Sequence, residues 1–443
     1  MDDFIKAAIG IMPDERQLAW QELEFYAFMH FGINTFTDRE WGYGNESPSI
    51  FNPVQFDADQ WVEICKSAGM KGLILTCKHH DGFCLWPSRY TAHSVGSSPW
   101  KDGKGDVVGE VAAACKKGGL KFGIYLSPWD RHEKTYGDSD RYNLFYINQL
   151  KELLTAYGDI FCVWLDGACG EGAGGKRQVY DWESYYRTVR ELQPNAVISV
   201  CGPDVRWCGN EAGHCRESEW SVVPAYLRNA ELTMDKSQKS DDAGFSKRLN
   251  SNDADLGSRE SIRNAGRLAW YPAEVNTSIR PGWFYHASED DRVKTVDELL
   301  MIYYNSVGGN ASFLLNIPPD RRGLIHENDA ARLQELGNVL RKTFGHDLAE
   351  GASCLVEMEI DLEREKTFDR IVLMEEIKLG QRVEAFTLSY MENGMWRELF
   401  KGTVIGHKRI CCFPKATTRF VKLVVSHSRA NPIIKSFRVY NSG

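Results

Sequence analysis

Residues 106–129 read DVVGEVAAACKKGGLKFGIYLSPW, a helix followed by a strand. Asp106 is placed to cap a helix start, and Val108, Val111, Ala112 and Cys115 recur along one helical face. Leu120–Leu126 is a short apolar run that ends in the polar and aromatic tip Ser127-Pro128-Trp129. Strands that alternate with amphipathic helices pair in parallel and are covered on both faces. The same unit recurs on either side. Glu24–Phe31, Met70–Thr76, Ile160–Leu165, Ala196–Val200 and Ser312–Ile317 read as strands. Trp61, Ile64, Cys65 and Ala68 mark one helix, and Trp182, Tyr185, Tyr186 and Val189 mark another. Tyr142–Leu154 and Val296–Ser306 also read as helices.

This α/β alternation runs from about residue 18 to residue 345, and a (β/α)8 TIM-type barrel needs roughly 250 residues. The competing architecture, a doubly wound open sheet, requires a glycine-rich phosphate loop after its first strand. GINTFTDREW follows Phe31 instead, so the barrel is the expected fold, over residues 1–345. From residue 346 to 443 the pattern changes to short alternating segments: Leu355–Ile360, Arg370–Met374, Ala385–Tyr390, Lys408–Phe413, Phe420–Val425 and Ile434–Tyr440. Turn signals separate them, so this part is expected to be an all-β sandwich that braces the barrel. The polar stretch 229–260 reads as a long insertion on the barrel rim.

Composition narrows the function classes. With 443 residues the chain is long enough for two or three structural units. Hydrophobic residues at 43% and charged residues at 26% exclude a disordered or fibrous protein. The net charge of -8 argues against nucleic acid as a partner. The 12 cysteines form no paired CxxC set, which disfavours a zinc or disulfide framework. No apolar run is long enough for a membrane span, and no signal peptide is visible, so a cytoplasmic protein without a membrane partner is expected. Aromatic residues at 12% suit either large cores or the flat faces of sugar rings.

A parallel barrel carries its chemistry at the C-terminal strand ends. Those ends hold His30, then Lys78-His79-His80-Asp81, then Tyr125 with Ser127 and Trp129, then Trp164-Leu165-Asp166. Adjacent strand residues point to opposite faces, so His79 and His80 are not expected to share a metal ion. No metal and no cofactor is expected. Hydrogen bonding to substrate hydroxyls is the better role for them. Trp164 and Asp166 are two apart and face the same way. An aromatic plate beside a carboxylate suits attack on an oxocarbenium-like carbon, as in a glycosidase. A second carboxyl group is then needed as proton donor. Asp204, Glu211, Glu217 and Glu219 are candidates between which chain distance does not choose.

HFGINTF with Glu40-Trp41, KHHDGFCLWPS (78–88), GIYLSPW (123–129), VWLDG (163–167) and NASFLLNIPPDRRGLI (310–325) together resemble the α-L-fucosidases of glycoside hydrolase family 29. GPDVRWCGNEAG and PAEVNTSIRPGWFYH (272–286) resemble the subgroup selective for α-1,3/1,4-linked fucose on branched, Lewis-type glycans. The resemblance implies a retaining exo-enzyme that acts on fucosylated oligosaccharides. Asp166 would be the nucleophile and Glu211 the general acid/base, with Glu217 as the reserve acid. His30, Glu40, Trp41, His79, His80 and Tyr125 would hold the fucose, with Trp164 beside the nucleophile. Trp283 or Trp220 would pack against its methyl group or a neighbouring sugar. A fucose-binding protein without activity, a broad-specificity fucosidase and a metal-dependent hydrolase are the alternatives.

Overall fold

The computed structural model describes residues 2–172, 175–238, 255–350, 353–354 and 358–443. Eight strands form the first sheet: β1 (Phe25–Met29), β2 (Gly72–Lys78), β3 (Lys121–Leu126), β4 (Ile160–Leu165), β5 (Val197–Val200), β6 (Arg206–Trp207), β9 (Ala273–Ser278) and β10 (Ala311–Asn316). Between β6 and β9 lies a small antiparallel pair, β7 (Val222–Pro224) with β8 (Leu268–Trp270). The order in the large sheet is β5-β4-β3-β2-β1-β10-β9-β6, and every ladder in it is parallel. A parallel bridge between Ser199 and Val205 brings β5 back to β6 and completes a barrel-like circle.

The strands form where they do because their side chains are buried on both faces. All seven residues of β2 and all five of β1 are buried. Alternate residues then serve two cores. Tyr26, Phe28, Ile74, Tyr125, Trp164 and Leu314 pack in one cluster, whereas Phe25, Ala27, Met29, Leu73 and Leu75 pack against the surrounding helices. Aromatic rings fill both the barrel interior and the core beneath the helices. The helices begin where the sequence places caps. Asp57, Asp106 and Asp181 each accept a backbone N–H from the first turn of helices Ala58–Ser67, Val107–Gly118 and Trp182–Leu192.

The irregular part of the barrel departs from the expectation. No helix separates β5 from β6, and β6 is two residues long. Val200 adopts φ 69, a rare conformation for a β-branched residue. It is held there as its N–H donates to Val205 O at 3.1 Å. Within the 229–260 stretch, short helices at Ala230–Lys236 and Arg259–Arg263 are described, and 239–254 lies outside the described residues.

The second sheet is antiparallel: β11 (Ser353–Cys354), β12 (Glu359–Glu375), β13 (Val383–Glu392), β14 (Met395–Gly402), β15 (Arg409–Ser428) and β16 (Ile434–Tyr440). It forms a β-sandwich around Leu362, Phe368, Ile371, Phe386, Leu388, Cys411 and Leu423. The six expected segments are regrouped. The separate segments before and after residue 365 are one 17-residue strand, and those at 408–413 and 420–425 belong to one 20-residue strand. Register shifts between Asp361/Lys366 and Phe368/Arg370 break the alternation that a sequence reading follows. Residues 355–357 of the first expected segment lie outside the described residues, and β14 is a strand that pattern reading overlooked. Among the described residues no helix is long and apolar enough to cross a membrane.

Helix Glu327–Phe344 closes the barrel side through an ion pair. Arg280, just past β9, donates from Nε to Asp329 Oδ2 at 2.8 Å, and both side chains are 0% exposed. Arg280→Met leaves that carboxylate buried without its partner. It is expected to cost about 3–5 kcal/mol and to lower Tm on the order of 10 °C, read in a thermal melt of the full chain.

Candidate active site

β4 ends at Leu165, so Asp166 is the first residue beyond the strand. It stands at the mouth of the aromatic interior, and its side chain is 19% exposed. Oδ1 accepts the Ala168 N–H at 2.8 Å and Oδ2 accepts the Tyr125 hydroxyl at 2.8 Å. Burial raises the Asp166 pKa. The donors Ala168, Tyr125 and Gly167 oppose that rise by stabilising the ionised form. Trp164 stacks on Tyr125 with ring centroids 5.4 Å apart. Its indole donates to Glu274 Oε1 at 2.7 Å, which fixes the ring beside the carboxylate.

Glu211 reaches the same pocket from the turn GNEAG. Gly209 and Gly213 have φ 102 and 88, which only glycine adopts without cost. Between them Asn210 closes the turn: Oδ1 accepts the Ala212 N–H at 2.9 Å and Nδ2 donates to His214 O at 2.9 Å. A side chain at 213 would also meet Ile302 at 2.9 Å. The Glu211 pKa is raised to about 7, first by burial and then by the charge of Asp166. A hydrogen bond from Trp283 opposes the rise. Of the four acids left open by the sequence, Glu211 alone lines the pocket. Asp204 is paired with Arg190 and accepts the Ile198 N–H at 2.7 Å. Glu219 is paired with Arg206 at 2.6 Å.

Three histidines line the pocket, His30, His79 and His80. Burial lowers the pKa of His30 and of His80 to about 3 and that of His79 well below its ordinary value, so all three rings are neutral at pH 7. His80 Nε2 lies 3.8 Å from Asp166 Oδ2, and with a neutral ring this is not an ion pair. Partners settle two tautomers. Asn316 donates its amide N–H groups to Ser278 Oγ and Trp283 O, so its Oδ1 faces His30 and His30 Nδ1 is the donor, at 2.8 Å. Ser127 donates its hydroxyl to Trp129 O, so His80 Nδ1 donates to Ser127 Oγ, at 2.7 Å. Each ring then keeps Nε2 as an acceptor. His79 and His80 were expected on opposite faces. Instead their centroids are 4.1 Å apart and both rings line the pocket. They lie past the end of β2, beyond a register shift between Thr76 and Lys78, where strand alternation no longer applies.

Glu40, Trp41 and Trp283 complete the wall. Trp41 meets His80 edge-on at 5.1 Å. The Glu40 carboxylate is engaged by protein donors: the N–H of Trp283 at 2.8 Å, the N–H of Phe284 at 3.0 Å and His286 Nε2 at 2.8 Å. The Glu40 hydrogen bond is the main reason that the His286 pKa is raised to about 9. Two residues chosen from the sequence lie elsewhere. Glu217 is exposed beside Arg409 and Phe400, in a groove between barrel and sandwich. Trp220 is 3% exposed and packs with Val223, Tyr271 and Val404 under the Arg429 guanidinium. Sequence reading missed Phe28, Trp207 and Asn276 on the wall and Glu274 beneath it. Glu274 and Asn276 alternate in AEVNTS, a polar strand whose period of two was the available signal.

This pocket sets two acids with raised pKa values among neutral imidazoles and indole rings. Residues 14–344 match the Alpha-L-fucosidase family. The chain belongs to the α-L-fucosidases. Alpha-L-fucosidase 1 of Arabidopsis thaliana is 41% identical over 97% of this chain and 87% of its own length. A glycoside hydrolase 29 family member from an unknown rumen bacterium is 41% identical with a TM-score of 0.85, over 98% of this chain and 78% of that one. A Ruminococcus gnavus GH29 fucosidase, solved in complex with fucose, is 32% identical with a TM-score of 0.82, over 98% of this chain and 95% of that one. This α-L-fucosidase is thus a glycoside hydrolase whose barrel and sandwich both have counterparts among its relatives.

Tyr125 is fully buried and its hydroxyl stabilises the ionised form of Asp166. In the fucosidase carrying Tyr125→Phe, the Asp166 pKa rises further. A carbon-13 NMR titration of the aspartate carboxyl groups is expected to read that rise.

Proposed function

We propose that the enzyme is a retaining exo-α-L-fucosidase that removes α-1,3/1,4-linked L-fucose from branched, Lewis-type glycans. The observation that carries the mechanism is the pairing of Asp166 and Glu211 in one pocket. Asp166 is held by donors suited to a carboxylate, while Glu211 is raised to about 7 by burial and by Asp166 itself. Environments that separate two acids in this way assign their roles. Asp166 attacks the anomeric carbon as protonated Glu211 gives its proton to the departing oxygen. Glu211, now ionised, draws a proton from water, and the water displaces Asp166 with a second inversion. Residues 1–345 are the catalytic unit in this reading and 346–443 the accessory unit.

His30 and His80 offer Nε2 to hydroxyls of the sugar, and His79 Nδ1 has no hydrogen-bond partner among the described residues. Sites that pair with a hydroxyl reject analogues that lack it by roughly 10⁴–10⁵. Trp41, Trp164 and Trp283 supply the apolar wall. The linkage preference rests on the resemblance of GPDVRWCGNEAG and PAEVNTSIRPGWFYH to the selective subgroup; the first segment carries Glu211, and Trp283 of the second hydrogen-bonds it.

Five measurements test this. Asp166→Gly is expected to abolish turnover while fucose binding persists. Glu211→Ala is expected to lose roughly 10²–10⁴-fold with natural leaving groups and to regain turnover with azide. Proton NMR of the first product should show the α-anomer, and a β-anomer would exclude double displacement. Near-normal turnover by Asp166→Gly would remove it as nucleophile. In the wild type, kcat/KM should fall as pH rises through about 7, because Glu211 must be protonated to act as acid. For the substrate, a branched Lewis trisaccharide should be hydrolysed far faster than a 1,2-linked fucosyl-lactose or a simple aryl fucoside. Equal rates on all three would favour a broad-specificity enzyme.

A further inference from the structure

Glu211 stands on a loop, 208–219, that has no helix or strand of its own. Its start is bound to β9: Arg206 N–H donates to Pro272 O at 2.8 Å and Cys208 N–H to Glu274 O at 3.0 Å. Its far end turns on Glu219, which is 0% exposed. That carboxylate accepts from Arg206 Nη2 at 2.6 Å and from the Arg216 N–H at 3.1 Å, so one side chain ties both ends together. Arg216 Nη1 reaches back to Cys208 O at 2.9 Å.

The outer side of this loop end is held from the sandwich. Thr403 Oγ1 and Arg409 Nη1 both donate to the Glu217 carbonyl, each at 3.0 Å. Asn310, just before β10, joins the three parts. Its Nδ2 donates to Glu219 O at 2.8 Å, its Oδ1 accepts the His407 N–H at 2.6 Å, and its own N–H donates to Lys408 O at 3.0 Å. One residue beyond Trp220, Ser221 N–H donates to Gln381 Oε1 at 2.8 Å. The sandwich thus grips the main chain of the loop rather than presenting side chains to the pocket.

We propose that the C-terminal sandwich is a positioning element for the proton donor, with Thr403 and Arg409, and Asn310 through the His407 segment, fixing the loop that carries Glu211. The inference rests on the reading of Glu211 as acid/base. A general acid acts within hydrogen-bond reach of the oxygen it protonates, and a displacement of about 1 Å can cost on the order of 10²-fold. Loosening the loop would also hydrate Glu211 and lower the pKa that burial raises.

The test compares leaving groups in the full-length enzyme. α-L-Fucosyl fluoride departs with little need of a proton, whereas an oligosaccharide fucoside that the wild type hydrolyses depends on one. The Thr403→Val/Arg409→Met double variant and Asn310→Gly, which tolerates the φ of 69 at that position, are measured beside Glu211→Ala. Circular dichroism and Tm report folding. In both sandwich-contact variants, kcat/KM on the oligosaccharide is expected to fall about tenfold or more. On the fluoride it should stay near wild type, and the basic limb of the pH profile should move to lower pH. Equal losses on both substrates, or none on either, would overturn the inference. If Glu211→Ala spares the fluoride and the sandwich-contact variants do not, the inference alone falls. If Glu211→Ala lowers both substrates alike, the acid/base assignment falls and takes the inference with it.

Discussion

A carboxylate placed in an aromatic well loses its water, and that loss is the constraint around which the site is built. Asp166 sits above a barrel interior of Tyr26, Phe28, Tyr125 and Trp164. Without donors its pKa would rise further. The Ala168 N–H and the Tyr125 hydroxyl replace the missing water. The same desolvation acts in the opposite sense on its neighbours. It keeps His30, His79 and His80 neutral, so that none of them is a cation competing for Asp166. It also leaves Glu211 poised near neutrality. One physical cause, burial, therefore gives three kinds of group three different working states.

The barrel is regular at the strand ends that carry the histidines and Asp166 and irregular beside Glu211. From β1 to β4 each strand end contributes a fixed side chain, and full ladders on both sides hold the backbone. Beyond β5 the regular alternation stops. Val200 takes a left-handed conformation, β6 has two residues, and a loop takes the place of the usual helix. Such a loop has no internal ladder to hold it. Its order comes from a buried carboxylate, a bridging asparagine and the neighbouring sandwich. That gives the accessory unit a structural reason to accompany the barrel.

The regular half was legible in the sequence because parallel strands buried on both faces appear as continuous apolar runs. GLILTCK and IFCVWL fall within a few residues of their expected places. Aspartates 57 and 106 mark helix starts by side-chain chemistry alone. The irregular half was not legible. β6 is too short to show a period, and AEVNTS is polar because it faces the well with Glu274 and Asn276. Bulges concealed the continuity of the two long sandwich strands. His79 and His80 were placed on opposite faces by a rule that ends where the strand ends.

By itself the sequence determined which chemical groups are available and which backbone segments present them, because burial patterns, caps and glycine-bounded turns are local properties. It singled out Asp166, the three histidines and the GNEAG turn. Only the tertiary structure decided which of Asp204, Glu211, Glu217 and Glu219 faces Asp166. Asp204 and Glu219 are neutralised by arginines, Glu217 points into a groove beside the sandwich, and Glu211 is left in the pocket. The same holds for Trp220, which the sequence left open to the sugar and which packing places in the core. The reason is physical: Asp204 and Glu219 find their arginines one fold of the chain away, at Arg190 and Arg206, and Trp220 meets Tyr271, Val404 and Arg429 from other segments, and no local pattern records such meetings.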